Sequence, residues 1–101
     1  MDGLTVEKEG PGAFRLHGEL DLAKAADLDS ILQEEAAQGG DMRLDLSEVE
    51  FIDSAAMGVL VRVARTLEGK GRLILQSPSK AVRLTFETAQ LATRDNIELV
   101  D

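Results

Sequence analysis

Hydrophobic and polar residues alternate near the start of the chain, and a period of two predicts β-strands. Leu4 and Val6 alternate with polar neighbours and are followed by the turn sequence Gly-Pro-Gly at 10–12. Beyond the turn, apolar residues face one side of a second segment and polar residues the other: Phe14, Leu16 and Leu20 against Arg15, His17 and Glu19. The two segments therefore predict a β-hairpin with one buried face.

Later segments change to the spacing of amphipathic helices. The first helix is predicted over 22–38, with Asp21 placed to cap its start. The second is predicted to begin at Asp53 or Ser54 and to end near residue 68. The predicted core faces of the two helices are Ala25, Leu28, Leu32 and Ala36, and Ala56, Leu60, Val63, Ala64 and Leu67.

A third helix is predicted to open at Ser77-Pro78, with Pro78 at its first helical position. Off the core stripe of this helix, Leu91 is expected to fold back and seal the helix end, and Leu84 to lie exposed. Its predicted core face consists of Val82, Phe86 and Ala89.

Short apolar runs between the helices predict three more strands, at Met42 to Ser47, Leu73 to Leu75 and Ile97 to Val100. The element order is then ββαβαβαβ. Because each later strand follows a helix, we expect parallel neighbours joined by right-handed crossovers. The 101 residues leave room for one α/β domain covering 1–101.

Composition and charge narrow the class of protein. Aromatic residues make up only 3% of the chain, so aliphatic side chains must fill the core. The chain has no cysteine, which excludes disulfides and thiolate metal sites. A net charge of −8 disfavours nucleic acid and anionic membranes as partners. No apolar run is long enough for membrane insertion, and the start does not resemble a signal peptide, so we expect a cytoplasmic protein.

Catalytic equipment is sparse. The single histidine, His17, is expected to be an exposed strand residue. Ser77 and Lys80 match the S-x-x-K spacing of serine acylases, but the companion motifs are missing and Pro78 accounts for the segment as a helix start. The adjacent Glu34 and Glu35 are expected to be solvated. We therefore predict no enzyme activity, no metal site and no cofactor.

The segment 51–60, Phe-Ile-Asp-Ser-Ala-Ala-Met-Gly-Val-Leu, is the most informative part of the chain. It places the Ser54 hydroxyl where a strand ends and a helix begins. Asp53 and Ser54 are also ordinary helix-capping residues, which is the purely structural interpretation. Ala55 and Gly58, however, fall opposite the predicted core stripe with Arg62 and Arg65, and Gly58 lowers helix propensity without a capping gain. Small residues there would let a partner backbone approach closely.

These residues resemble the STAS domain family, which includes the bacterial anti-sigma factor antagonists. The similarity covers nearly the whole chain and rests on the order and spacing of four short segments: Gly-Glu-Leu-Asp at 18–21, Leu-Asp-Leu-Ser at 44–47, Phe-Ile-Asp-Ser at 51–54 and Gly-Val-Leu at 58–60. The resemblance implies a curved mixed sheet of four or five strands with helices mainly on one side.

The resemblance also implies a function in partner switching and transcription regulation. The unphosphorylated chain would bind a serine-kinase anti-sigma factor and free the sigma factor. Phosphorylation of Ser54 by that kinase would end binding, and a phosphatase would restore it. Asp21, Asp45 and Asp53 are expected to gather near Ser54. The expected partner-binding residues are Asp21, Asp45, Asp53, Ser54, Ala55, Met57, Gly58 and Arg62.

Three positions depart from the family pattern, and a second function stays open. Ala55 and Ala56 stand where Ser or Thr and then Gly are common, and Gln90 stands where Gly often ends the third helix. The alternative is a stand-alone STAS subunit that stabilises a larger complex, such as a lipid-transport ATPase, without phosphorylation. Ser54 would then be a docking residue that is never modified.

Overall fold

The computed structural model describes residues 5–91 and 94–101 of the chain. It begins with the predicted hairpin, in which β1 (Thr5–Gly10) pairs antiparallel with β2 (Ala13–Leu20). The turn requires glycine at position 12, because its φ is +71° and a Cβ there would lie 2.6 Å from the Asp41 carbonyl oxygen. Leu4, which the alternation assigns to the first strand, lies outside the described residues.

The other elements follow in the predicted order: α1 (Leu22–Ala36), β3 (Met42–Ile52), α2 (Ser54–Leu67), β4 (Leu73–Gln76), α3 (Lys80–Thr88) and β5 (Ile97–Val100). The sheet has five strands in the order β1-β2-β3-β4-β5. From β2 onward each neighbouring pair is parallel, as the helical connections require. The predicted mixed α/β architecture is therefore confirmed.

One face of the sheet is buried under the helices and the other is polar. In β3, Met42, Leu44 and Leu46 are buried, whereas Arg43 and Ser47 between them are exposed. The buried residues of α1 and the α2 residues predicted to face inward complete one core, together with Phe86 of α3. None of the helices in the described ranges is long and apolar enough to span a membrane.

The third strand is longer than predicted. Sequence alternation ends near Ser47, but β3 continues to Ile52 and stays paired with β2 throughout. Two register shifts in this pairing, one after Arg15 and one after Gly18, explain the irregular pattern, since bulges interrupt strict alternation. β4 pairs only with the first part of β3, and the extension continues beside β2 as far as the start of α2.

The third helix begins later than predicted. Ser77 has a φ of +57°, a left-handed conformation that does not occur within an α-helix. Ser79 caps the helix by accepting a hydrogen bond from the Val82 amide at 3.2 Å. Pro78 thus precedes the cap rather than opening the helix. Ala89, predicted to face the core, is exposed at the helix end. The predictions for Leu91, which is buried, and Leu84, which is exposed, are confirmed.

A carboxylate holds the hairpin against the end of α1. Glu35 accepts hydrogen bonds from the Gly12 amide at 2.6 Å and from the Lys8 ammonium at 2.8 Å. The hydrogen bond from Lys8, followed by that from Gly12, holds the pKa of Glu35 below its usual value. The expectation that Glu35 is solvated like its neighbour was therefore wrong, because its partners lie more than twenty residues away along the chain.

Candidate functional site

Ser54 lies exposed at the first residue of a long helix. The end of β3 is fixed by the Asp53 amide, which donates to the Leu20 carbonyl oxygen at 3.1 Å. The next residue, Ser54, begins α2, whose side chains from Ala56 onward anchor it in the core. Strand pairing and core packing thus hold the Ser54 backbone while its side chain faces solvent.

The Asp53 carboxylate joins the starts of two helices. One oxygen, Oδ1, accepts from the Ala56 amide at 3.0 Å and caps α2. The other, Oδ2, accepts from the Leu22 amide at 3.0 Å, at the first residue of α1. The positive ends of both helix dipoles therefore converge on one carboxylate next to Ser54.

Asp21 occupies the cap position of α1 but does not cap it. Its side chain makes no capping hydrogen bond, and its Oδ1 atom is buried without a hydrogen-bond partner among the described residues. The prediction of Asp21 as a side-chain cap was wrong, because Asp53 takes the Leu22 amide and the Asp21 backbone carbonyl takes the Lys24 amide. The Asp21 carboxylate thus keeps unused hydrogen-bonding capacity beside the start of α2.

The first turns of α2 are only partly as expected. Arg62 is exposed and pairs with Asp29 of α1 at 3.5 Å. Ala55 was expected to face away from the core, but it is half-buried and packs against it. A Cβ on Gly58 would meet only the Arg62 guanidinium, at 3.7 Å, and no backbone. The fold itself therefore does not require glycine at position 58.

A shallow apolar groove lies between α2 and α3. It has a volume of about 320 Å³ and is lined by Met57, Leu84, Thr85, Thr88 and Ala89. Sequence reasoning singled out Met57 and Leu84 separately but did not bring them together, since 27 residues of chain separate them and helix packing is not a local property. Because Met57 follows Ser54 by about one helical turn, the groove borders the serine.

Two large apolar side chains are exposed on the other flank of Ser54. Leu22, at the start of α1, is 74% exposed, and Phe51, near the end of β3, is 50% exposed. The register places Phe51 opposite Glu19, three residues before Leu22. The sequence pattern offered a signal for Phe51, an aromatic residue in a chain with few of them, but did not indicate its exposure.

Comparison with known proteins identifies the family. The model of the STAS domain matches residues 4–99. The chain belongs to the STAS domain family. No curated protein sequence matches it.

Solved structures share the fold of this STAS domain. The anti-sigma factor antagonist SpoIIAA in its unphosphorylated form is 24% identical, with a TM-score of 0.72 over 98% of this chain and 88% of that one. The phosphorylated form of SpoIIAA from Bacillus is 24% identical, with a TM-score of 0.70 over 98% and 92%. A Thermotoga maritima protein classed as a candidate anti-sigma factor antagonist is 23% identical, with a TM-score of 0.79 over 97% and 86%.

Asp45 lies away from the start of α2 in this STAS domain. It pairs in register with Arg15 of β2, five residues before the β2 residue that pairs with Ile52. At about 3.3 Å per residue, this separates Asp45 from the start of α2 by roughly 17 Å. The expectation that three aspartates gather near Ser54 was therefore wrong for Asp45, because β3 is extended between them.

The surroundings of Asp45 explain its charge. Partial burial is the largest single influence and raises the pKa of Asp45. Hydrogen bonds from Ser47 and the nearby Arg15 guanidinium together outweigh it and hold the pKa below its ordinary value. The Ser47 amide donates at 2.9 Å, and the Arg15 Nε atom lies 3.4 Å from the carboxylate. These contacts make Asp45 part of the polar sheet face.

The remaining polar groups also pair on the sheet surface. His17, expected to be exposed, is half-buried, and its Nε2 atom lies 2.9 Å from a Glu7 oxygen. Within residues 5–91 and 94–101, no three His, Asp or Glu side chains come close enough to hold a metal ion. The chemistry that this STAS domain concentrates in one place is thus the Ser54 hydroxyl, two carboxylates and an apolar groove.

Proposed function

We propose that this STAS domain is an anti-sigma factor antagonist controlled by phosphorylation of Ser54. In its unphosphorylated form it binds a serine-kinase anti-sigma factor, which releases the sigma factor. The kinase then phosphorylates Ser54 and ends the interaction, and a phosphatase restores the binding form. The observation that carries the proposal is an exposed serine at the start of a 14-residue helix whose position is fixed by Asp53.

The start of α2 can hold a phosphoryl group without unfolding. The amides of Ala56 and Met57 are taken by Asp53, through its side chain and its carbonyl respectively. The amides of Ser54 and Ala55 have no protein acceptor in the described part of the chain. Two free amides at the positive end of a helix dipole suit an added phosphate. That SpoIIAA has been solved both phosphorylated and unphosphorylated agrees with such tolerance in this fold.

Charge explains how the modification would change partner choice. Phosphorylation adds about −1.5 to −2 charges next to Asp53 and near Asp21. Two unit charges about 4 Å apart interact by about 4 kcal/mol at an effective dielectric constant of about 20. Half of that repulsion would weaken docking roughly thirtyfold. Docking of a partner that places acidic or closely packed groups opposite Ser54 would therefore be lost, while the fold stays intact.

The surface around Ser54 supports a protein partner that presents an apolar group. The groove between Met57 and Leu84 can receive an apolar side chain, and Gly58 leaves room for a backbone.

The proposal is tested by incubating the chain with ATP and the serine-kinase anti-sigma factor of the same organism. We expect one phosphate on the peptide that contains Ser54, none in Ser54→Ala, and normal phosphorylation of Ser30→Ala, which removes another exposed serine. Calorimetry should show kinase binding that is lost on phosphorylation. An unmodified Ser54, with wild-type kinase binding by Ser54→Asp, would contradict the switch. Co-purification with a transporter ATPase instead would favour the subunit function.

A further inference from the structure

Met57 is the methionine that borders the groove. It lies in the first turns of α2, and its amide donates to the Asp53 carbonyl oxygen at 2.9 Å. Its side chain is half-buried, packs against the core and lines the groove together with Leu84 and Ala89. The Met57 side chain is therefore packed against the core and partly accessible from the groove.

The chain's other sulfur atoms are placed differently. Met42 lies in β3 under the helices and is 1% exposed. Met1 lies outside the described residues, and the chain has no cysteine that could compete for an oxidant. Of the two methionines that the structure describes, only Met57 is accessible.

We propose that Met57 is an oxidation site for hydrogen peroxide and that its sulfoxide closes the groove to a docking partner. The sulfur lone pair attacks one peroxide oxygen, forming an S–O bond as the O–O bond breaks. The sulfur loses two electrons, and the departing hydroxide takes up the proton that the sulfur-bound oxygen releases and leaves as water. The product is methionine sulfoxide, which reductases return to the thioether.

The sulfoxide changes the groove from apolar to polar. Its oxygen is a strong acceptor, and the neighbouring Thr85 hydroxyl already donates to the Ala81 carbonyl oxygen at 3.1 Å. A partner that buries the oxidised side chain without supplying a donor would bind at least about tenfold more weakly. This consequence rests on the proposed docking function, whereas selective oxidation of Met57 does not.

The experiment begins with the free protein and dilute hydrogen peroxide. Peptide mass spectrometry follows the gain of one oxygen at each methionine, and we expect Met57 to react at least about tenfold faster than the enclosed Met42, since oxidation follows exposure. Methyl NMR signals of Leu84 should shift in step with oxidation of Met57. Met57→Leu, which keeps the volume without the sulfur, is the key variant, and Met42→Leu is its matched control.

Kinase binding is then measured before and after peroxide treatment. We expect the wild type and Met42→Leu to lose affinity at least about tenfold on oxidation and methionine sulfoxide reductase to restore it, with Met57→Leu binding equally well under both conditions. Equal oxidation rates at Met57 and Met42 would overturn the proposed site. Selective oxidation with unchanged affinity would overturn only the closing of the groove. No kinase binding by the untreated chain would contradict the proposed function and leave the oxidation result standing.

Discussion

Each end of α1 is held by a hydrogen bond between a carboxylate and a backbone amide, but the two carboxylates serve different purposes. At one end Glu35 accepts from a distant backbone amide, that of Gly12, and at the other end Asp53 accepts from the Leu22 amide. Glu35 has a cationic partner in Lys8, whereas no ion pair in the described part of the chain involves Asp53. At the hairpin end the carboxylate is paired with a cation, and at the α2 end the carboxylate beside Ser54 has no such partner among the described residues.

A glycine stands close to each of these ends, and the contrast between the two glycines is sharper. Gly12 has a left-handed φ and a carbonyl oxygen in the path of any Cβ. Gly58 is helical and has space around it. The fold explains both features of the hairpin end, the glycine at position 12 and the paired Glu35 carboxylate. At the α2 end, the fold requires neither Gly58 nor the exposed Leu22, and these two features mark a surface for a partner.

The largest expected effect is at the hairpin end, in Gly12→Ala. The left-handed conformation costs an alanine about 1–2 kcal/mol, and displacing the Asp41 carbonyl adds about 1–3 kcal/mol. We therefore expect a loss of roughly 2–5 kcal/mol and a Tm lower by about 10 °C or more, measured by calorimetry. Kinase affinity of the molecules that remain folded should be unchanged. A Tm equal to that of the wild type would remove the contrast between the two glycines.

Next in size is Asp53→Ala, which removes acceptors for two helix starts. Loss of the α2 cap and of the bond to Leu22 should cost about 1–2 kcal/mol. Asp53→Asn separates the two contributions, because its single oxygen can still cap Ala56 while its amide cannot accept from Leu22. Hydrogen exchange should then accelerate at Leu22 in both variants but at Ala56 only in Asp53→Ala. Equal protection of Leu22 in the wild type and both variants would show that the Asp53 carboxylate does not hold α1.

Gly58→Ala should change stability in the opposite direction. Replacing an unstrained helical glycine with alanine stabilises a helix by up to about 1 kcal/mol, and the new Cβ meets only the flexible Arg62 side chain. Thermal denaturation should show a higher Tm. Kinase affinity should fall, since the new methyl group occupies the surface where the partner backbone is proposed to dock. A more stable variant with unchanged affinity would place the docking surface elsewhere.

The sequence was sufficient for the features that depend on local periodicity. Alternation in the hairpin and the stripe around Leu60 predicted buried residues that the structure confirms. The Asp53 bond to Leu22 could not be predicted, because it joins residues 31 positions apart. The extension of β3 beyond Ser47 was missed because register shifts break the alternation. The exposed Ser54 was predicted because its position depends only on a strand-to-helix junction.

The smallest effect is expected for the charge of Glu35, and it depends on pH. The pKa of Glu35 is lower in the folded protein than its ordinary value of 4.5, so the folded state binds fewer protons than the unfolded state. Its contribution to stability is therefore complete above pH 4.5 and is lost as the pH falls through the lower, folded value. Glu35→Gln should lower the Tm slightly near neutral pH and make the fall of the Tm at acidic pH less steep. Asp45, whose pKa is also lowered, should supply the part that remains.

The matched control is Glu34→Gln, which removes the same charge from the exposed neighbouring residue and should reproduce the wild-type profile. If both variants showed the same profile, the Lys8 and Gly12 contacts would not stabilise the hairpin end, and of the two carboxylates compared only Asp53 would hold an end of α1 in place.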